Sequence, residues 1–329
     1  MRRLFSLVSL MSQILQSQLL RVAVVGVGHL GKWHADKYAA AADCELVAVV
    51  DSNIDNARAV AKKHGAAAYS DYLDVIALVD AISLVVPTSL HYKIAREFLE
   101  AGIHCLIEKP ITETVAEATE LIDIAEKRGL VLQVGHIERF NSVMIGVEQH
   151  MNQPLFLEST RLAPFNLRAV DVSVILDLMI HDIDIILDLI DSPVKQISAS
   201  GISVLTDNVD IANARIEFEN HCVANVTASR ISLKRERKLR IFQKDAYLAA
   251  DFQDKILAIN RKGATNNAEG FKDIDHEELR FEDNDALNLE VLDFIDAIRR
   301  QRRPLVSGVD GRRALATAIA ITQQIRAIQ

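Results

Sequence analysis

The chain is short of cysteine, of net positive charge and of long apolar runs, and each shortage removes a class of protein. Its three cysteines, Cys44, Cys105 and Cys222, are far apart and odd in number. They offer no metal-ligand spacing and no disulfide framework, so a cytoplasmic, reducing setting is expected and a metal is not. A net charge of −8 argues against a nucleic-acid partner, because phosphate contacts need clustered Lys and Arg. One basic run exists, Lys234 to Lys238 (KRERK). It reads as a solvated hairpin edge that discourages strand addition, with a polyanion site as the alternative. No stretch approaches the roughly 20 apolar residues of a membrane-spanning helix. No internal repeat or low-complexity linker is visible.

What remains is a globular composition. Half of the 329 residues are apolar and a quarter charged, enough for two domains of ordinary size. Residues 1–20 read as a leader. Arg2 and Arg3 before LFSLVSLM imitate a secretory signal, yet Ser6 and Ser9 interrupt the run and no small-residue cleavage site follows. A non-exported leader is expected, with Met11 as an alternative start.

Strand-like and helix-like segments then alternate. RVAVVGVG, ELVAVVD, AISLVVP, HCLIE and LVLQVGH are apolar strands, separated by helical segments such as Leu90–Ala101 and Val115–Arg128. Doubly buried strands alternating with helices signal a parallel, doubly wound α/β sheet over residues 21–138. After one long helix, Val172–Ile190, the pattern turns to period-two alternation from QISASGISVL to KILAINR. Residues 139–329 are therefore expected to form an α+β domain with an open, mainly antiparallel sheet. A polar loop is expected at Gly263–Gly270, and two final helices at Leu289–Arg300 and Gly311–Ala327.

Gly26-Val-Gly28-His29-Leu30-Gly31 is a G-x-G-x-x-G run between a buried strand and a helix. The first glycine permits a tight turn, the second lets backbone approach a pyrophosphate, and the third allows helix–strand packing. Asp51 ends the next strand, where an acid accepts hydrogen bonds from adenine-ribose hydroxyls and repels a 2′-phosphate. NAD is the expected cofactor, with NADP possible. Pro87, Thr88 and His91 follow a third strand, and Glu108, Lys109 and Pro110 a fourth, at the sheet edge where such cofactors lie. Ser89 also reads as a simple N-cap, and His91 as a simple first-turn residue.

Hydride transfer from an alcohol needs a proton acceptor and a group that stabilises the developing oxyanion. Lys109 sits at a strand's carboxyl end, where the nicotinamide half should lie, and burial would lower its pKa and suit it to such a role. Asp177, His181, Asp184 and Asp188 fall at i, i+4, i+7 and i+11 of the long helix. Such a stripe is either a solvated face or an oriented base, and spacing alone does not decide.

The chain resembles the Gfo/Idh/MocA oxidoreductases from about Arg21 to its end. The resemblance rests on the glycine loop, on VPTSLHYKIAREFLEAGIHCLIEKPIT with its E-K-P motif, and on the D-x-x-x-H-x-x-D helix in DLMIHDIDIILDL. It implies His181 as general base, Asp177 as its orienting partner and Lys109 as the charge on the substrate hydroxyl. It also implies a cis Pro110 and a homo-oligomer, dimer or tetramer, formed through the second domain's sheet. VGHIERFNSV and the R-x-x-P-F run at Arg161–Phe165 are similar to dehydrogenases that oxidise the 3-hydroxyl of UDP-N-acetylglucosamine, although Ser142 stands where proline is expected. Arg139 and Arg168 are then candidates to meet substrate phosphate or hydroxyls, with ion pairing as the alternative. An inositol or free-sugar dehydrogenase and a non-catalytic dinucleotide sensor are the competing readings.

Overall fold

The computed structural model describes residues 19–166, 172–266 and 270–328. The leader with Met11, and Arg168, lie outside the described residues. The chain forms two compact units: one runs to Gly135 and takes in Leu287–Arg312, and the other holds His136–Ala286 and the chain from Arg313 on.

In the first unit six parallel strands stand in the order β3-β2-β1-β4-β5-β6. They are β1 (Leu20–Val25), β2 (Cys44–Val50), β3 (Ala67–Tyr69), β4 (Ala81–Leu84), β5 (His104–Glu108) and β6 (Leu132–Gly135). This is the dinucleotide-binding order, with the chain reversing direction beside β1 and opening a crevice at the strands' carboxyl ends. Local signals explain the helices between them. Asn53 caps Ile54–His64 and Gly65 closes it at φ 73°, while Thr114 and Glu117 form a reciprocal capping box before Val115–Arg128.

The sequence ran one domain from residue 139 to the end, but Leu287–Arg312 clusters with the first unit. The reason is apolar. Val291, Phe294, Ile295 and Ala297 of the Ala286–Arg300 helix join Val22, Val24, Tyr38 and Leu46 in one buried cluster.

The second unit is an eight-stranded sheet in the order β14-β13-β12-β11-β7-β10-β9-β8. The strands are β7 (Phe156–Leu162), β8 (Val194–Ile202), β9 (Ile211–Phe218), β10 (Val223–Ser229), β11 (Glu236–Phe242), β12 (Ala246–Asp251), β13 (Ile256–Asn266) and β14 (Lys272–Arg280). All neighbours are antiparallel except β7 and β10. β9 and β10 alternate buried and more exposed residues, as a sheet with one wetter face requires.

Three expectations are corrected here. β7 and β14 were not read as strands: β7 turns the polar Ser159 and Arg161 inward, and β14 is nearly all exposed. Either feature blurs the apolar alternation. Part of the polar loop from Gly263 is strand, because β13 extends to Asn266. The basic run is not a sheet edge, since β11 lies between β12 and β7.

Candidate active site

The glycine loop is built by contacts that leave no room for side chains. Gly26 has φ 88°, and a Cβ there would stand 2.3 Å from the Val85 carbonyl oxygen. A Cβ on Gly31 would meet the Gly26 carbonyl oxygen at 1.8 Å, whereas one on Gly28 would meet nothing within 4 Å. Only Gly28 therefore faces open space. Behind it starts the Gly31–Ala40 helix, which has no side-chain cap at Leu30 and no acid in its first turn. Its leading N–H groups and positive dipole end are thus left for an external anion.

Gly26, Gly28, Asp51 and Pro87 line one cavity of about 480 Å³. The Asp51 carboxylate accepts hydrogen bonds from the Val27 N–H at 3.1 Å and the Asn53 N–H at 2.9 Å. It is thereby fixed at the end of β2. An open glycine backbone, an uncapped helix start and a fixed acid together fit a dinucleotide whose ribose carries no 2′-phosphate. His29 and Leu30 are exposed on the loop. Thr88 begins the short turn Thr88–Leu90, and neither Ser89 nor any other side chain caps the helix after it. His91 does not line the cavity. It is buried, with Nδ1 2.9 Å from the Pro110 carbonyl oxygen and Nε2 2.9 Å from that of Val86. Burial lowers its pKa, and a neutral ring can donate to only one of these two carbonyls, which follow β4 and β5.

The Lys109–Pro110 peptide is cis. Glu108 accepts the Lys109 backbone N–H at 3.1 Å and lies 3.2 Å from His34 Nε2. His34 Nδ1 is 3.1 Å from the Ser83 hydroxyl, itself 3.0 Å from the Tyr38 hydroxyl. Burial pushes the Glu108 carboxyl up, but His34 and Lys109 outweigh it and hold the pKa below the ordinary value. Glu290, on the Ala286–Arg300 helix, is fully buried, and among the described residues neither carboxyl oxygen has a hydrogen-bond partner. Its carboxyl, that of Glu108 and the His34 ring offer atoms within 4.8 Å of one another. Burial, then the Glu108 and Asp293 charges, raise its pKa well above the ordinary value. Glu290 is thus a neutral acid behind the ionised Glu108.

In the second unit the long helix is broken in register. A π turn, Ile175–Met179, contains Asp177, and an α-helix, Ile180–Leu189, begins just before His181. Such wide turns are uncommon and gather at functional sites. Arg230 donates to the Val172 carbonyl oxygen at the approach to this turn. His181 and Asp177 are both half-buried. The His136 ring meets His181 edge-on, with centroids 6.2 Å apart and planes at 87°. The expected four-residue stripe divides in two. Asp184 and Asp188 face Arg139, at 3.6 and 2.5 Å. Arg139 is buried, in the ion pairs that the alternative reading expects.

The chain has matching relatives across its length. The description "Oxidoreductase family, NAD-binding Rossmann fold" matches residues 20–136, and "GFO/IDH/MocA C-terminal domain" matches residues 135–249. The UDP-N-acetylglucosamine 3-dehydrogenase of Acidithiobacillus ferrooxidans is 40% identical over 309 residues, which is 94% of this chain and 98% of that one. The chain belongs to the Gfo/Idh/MocA family of NAD-binding oxidoreductases. A solved structure of that same relative superposes with TM-score 0.89, covering 94% of this chain and 98% of the other. The scyllo-inositol 2-dehydrogenase of Bacillus subtilis is 26% identical over 330 residues, 93% of this chain and 94% of the relative.

For a Gfo/Idh/MocA oxidoreductase, several residues of interest were not singled out from the sequence. Ser52, Asp71, Tyr72 and Lys93 line the same cavity as Gly28 and Asp51, and their only signal was position after β2, after β3 or in the helix after β4. His34 and Glu290 complete the buried network at Glu108. A charged residue on the apolar side of the Ala286–Arg300 helix was a signal for Glu290, since buried carboxyls are rare without a partner. His136 sat unremarked inside VGHIERFNSV.

Proposed function

We propose that this oxidoreductase oxidises the 3-hydroxyl of UDP-N-acetylglucosamine with NAD. The observation that carries the reading is the 40% identity, over nearly the whole of both chains, to a UDP-N-acetylglucosamine 3-dehydrogenase. NAD, when bound, supplies the hydride acceptor. In this reading His181 takes the hydroxyl proton, Asp177 orients the imidazole, and the Lys109 ammonium stabilises the alkoxide as it forms. Gly28 and the helix start behind it hold the pyrophosphate, and Asp51 takes the adenine ribose.

The same reading makes the enzyme a cytoplasmic homo-oligomer. Its second unit exposes Ile202, Val204, Leu205, Phe271 and Ile274, and its three cysteines are free and buried. Among the described residues no helix is long and apolar enough to cross a membrane. Sedimentation analysis tests the assembly, and a monomer at micromolar concentration refutes it.

The direct test of function is NADH absorbance when the protein and NAD meet UDP-sugars, free hexoses and inositols. A signal with UDP-N-acetylglucosamine supports the reading, with the oxidised carbon then located on the product. A signal with inositol alone transfers the chemistry to the class of the Bacillus subtilis relative.

A further inference from the structure

The basic run that began as a solvated edge has two faces. Lys234 pairs with Glu236 at 2.5 Å and Lys238 with Asp251 at 3.6 Å. Arg235 comes just before β11 and Arg237 is its second residue. There they line a cavity of about 550 Å³ with Pro164, Phe252, Gln253 and Lys255.

The charges around this cavity do not balance. Arg237 reaches the buried Glu138 at 3.1 Å, but Arg161 already holds that carboxylate at 2.8 Å. Arg161 also takes Asp182, at 2.6 Å. Among the described residues Lys255 donates to the Phe252 carbonyl oxygen at 3.3 Å and pairs only with Asp283, 3.6 Å away and 88% exposed. Arg235 makes no ion pair among the described residues. Four cations therefore share two buried carboxylates and one solvated one, in a chain whose net charge is −8. Burial lowers the Arg237 pKa against the opposing pull of Glu138, and the charges of Arg161 and Arg235 add to the lowering. Two guanidinium forks and an ammonium suit phosphate oxygens, and Pro164 and Phe252 add apolar walls.

We propose that Arg235, Arg237 and Lys255 bind the diphosphate of a nucleoside-diphosphate sugar, the substrate class of the proposed function on which this inference rests. These residues hold the substrate's anionic bridge in both ground and transition state. They govern binding and leave the chemical step alone.

The experiment is calorimetric binding of UDP and of UMP to the intact protein, together with steady-state kinetics on UDP-N-acetylglucosamine. Wild type is compared with Arg235→Ala, Lys255→Ala and the double variant. We expect UDP affinity to fall about tenfold in each single variant and about a hundredfold in the double. UMP should be affected less, and KM should rise with kcat within about twofold. NAD affinity stays at the wild-type value, which controls for folding. UDP affinity unchanged in the double variant overturns the site, as does a wild-type protein that binds no UDP. Arginine-dependent UDP binding without turnover of any UDP-sugar keeps the site and refutes the proposed function. Turnover of UDP-N-acetylglucosamine with an unmoved KM in the double variant does the reverse.

Discussion

A Cβ on Gly31 would stand 1.8 Å from the Gly26 carbonyl oxygen, so the helix start and the loop before it close on each other backbone to backbone. Gly31→Ala must move one of them. We expect a loss above about 4 kcal/mol, read as a collapse of the thermal midpoint. Gly28→Ala is the contrast, because its methyl group meets no protein atom within 4 Å. It should leave stability within about 0.5 kcal/mol and weaken NAD about tenfold or more by occupying the approach to the pyrophosphate. NADH fluorescence titration beside a thermal melt separates the two.

Asp51 acts through its charge and through the two backbone N–H groups it accepts. Asp51→Ala removes both. NAD should bind about tenfold more weakly, and NADP relatively better, as the repulsion of a 2′-phosphate disappears. The ratio of kcat/KM for the two cofactors measures this, and an unchanged ratio removes Asp51 from cofactor selection.

Arg161 is buried between Asp182 and Glu138. Arg161→Ala takes the guanidinium away from the buried Asp182 and leaves Glu138 to Arg237 alone, and breaking a buried pair costs about 3–5 kcal/mol. Denaturant unfolding at neutral pH should show the loss.

Two acids should move the pH–stability curve in opposite directions. Glu290 has a raised pKa in the folded protein, so folding favours its protonated form. That contribution is present below the unfolded pKa and is lost as pH rises through the folded one. Glu290→Gln should therefore raise the thermal midpoint more at pH 8 than at pH 5. Asp210 is pulled the other way. Burial alone would raise it, but the N–H groups of Leu205, Val204 and Thr206 and the Thr206 hydroxyl bring it to about 2. Asp210→Asn should cost stability at pH 7, and the deficit should shrink as pH falls from about 4 to 2.

The parallel sheet was legible because its strands are apolar on both faces and their helices carry caps at Asn53, Gly65 and Thr114. The glycine loop was legible for a similar reason, since each glycine answers a local backbone demand. The ion pairs of Arg139 were not legible because its partners, Asp184 and Asp188, lie more than forty residues away along the chain. Arg161 was hidden too, because its inward turn on β7 makes sense only beside Asp182 and Glu138, 21 and 23 residues away along the chain. The break between Ile175 and Met179 was hidden too, because a π turn keeps the helical apolar pattern and changes only its register. Arg235 and Arg237 read as solvated because a sequence lists charges without their counter-charges.

The central claim is tested most directly by NADH formation from NAD and UDP-N-acetylglucosamine, in wild type and in Lys109→Met and His181→Ala. The account predicts turnover with a 3-keto product, and a fall in kcat of roughly 10²–10⁴-fold in each variant with NAD affinity retained. Turnover that survives both substitutions, or none with this substrate in a protein that binds NAD, would contradict it.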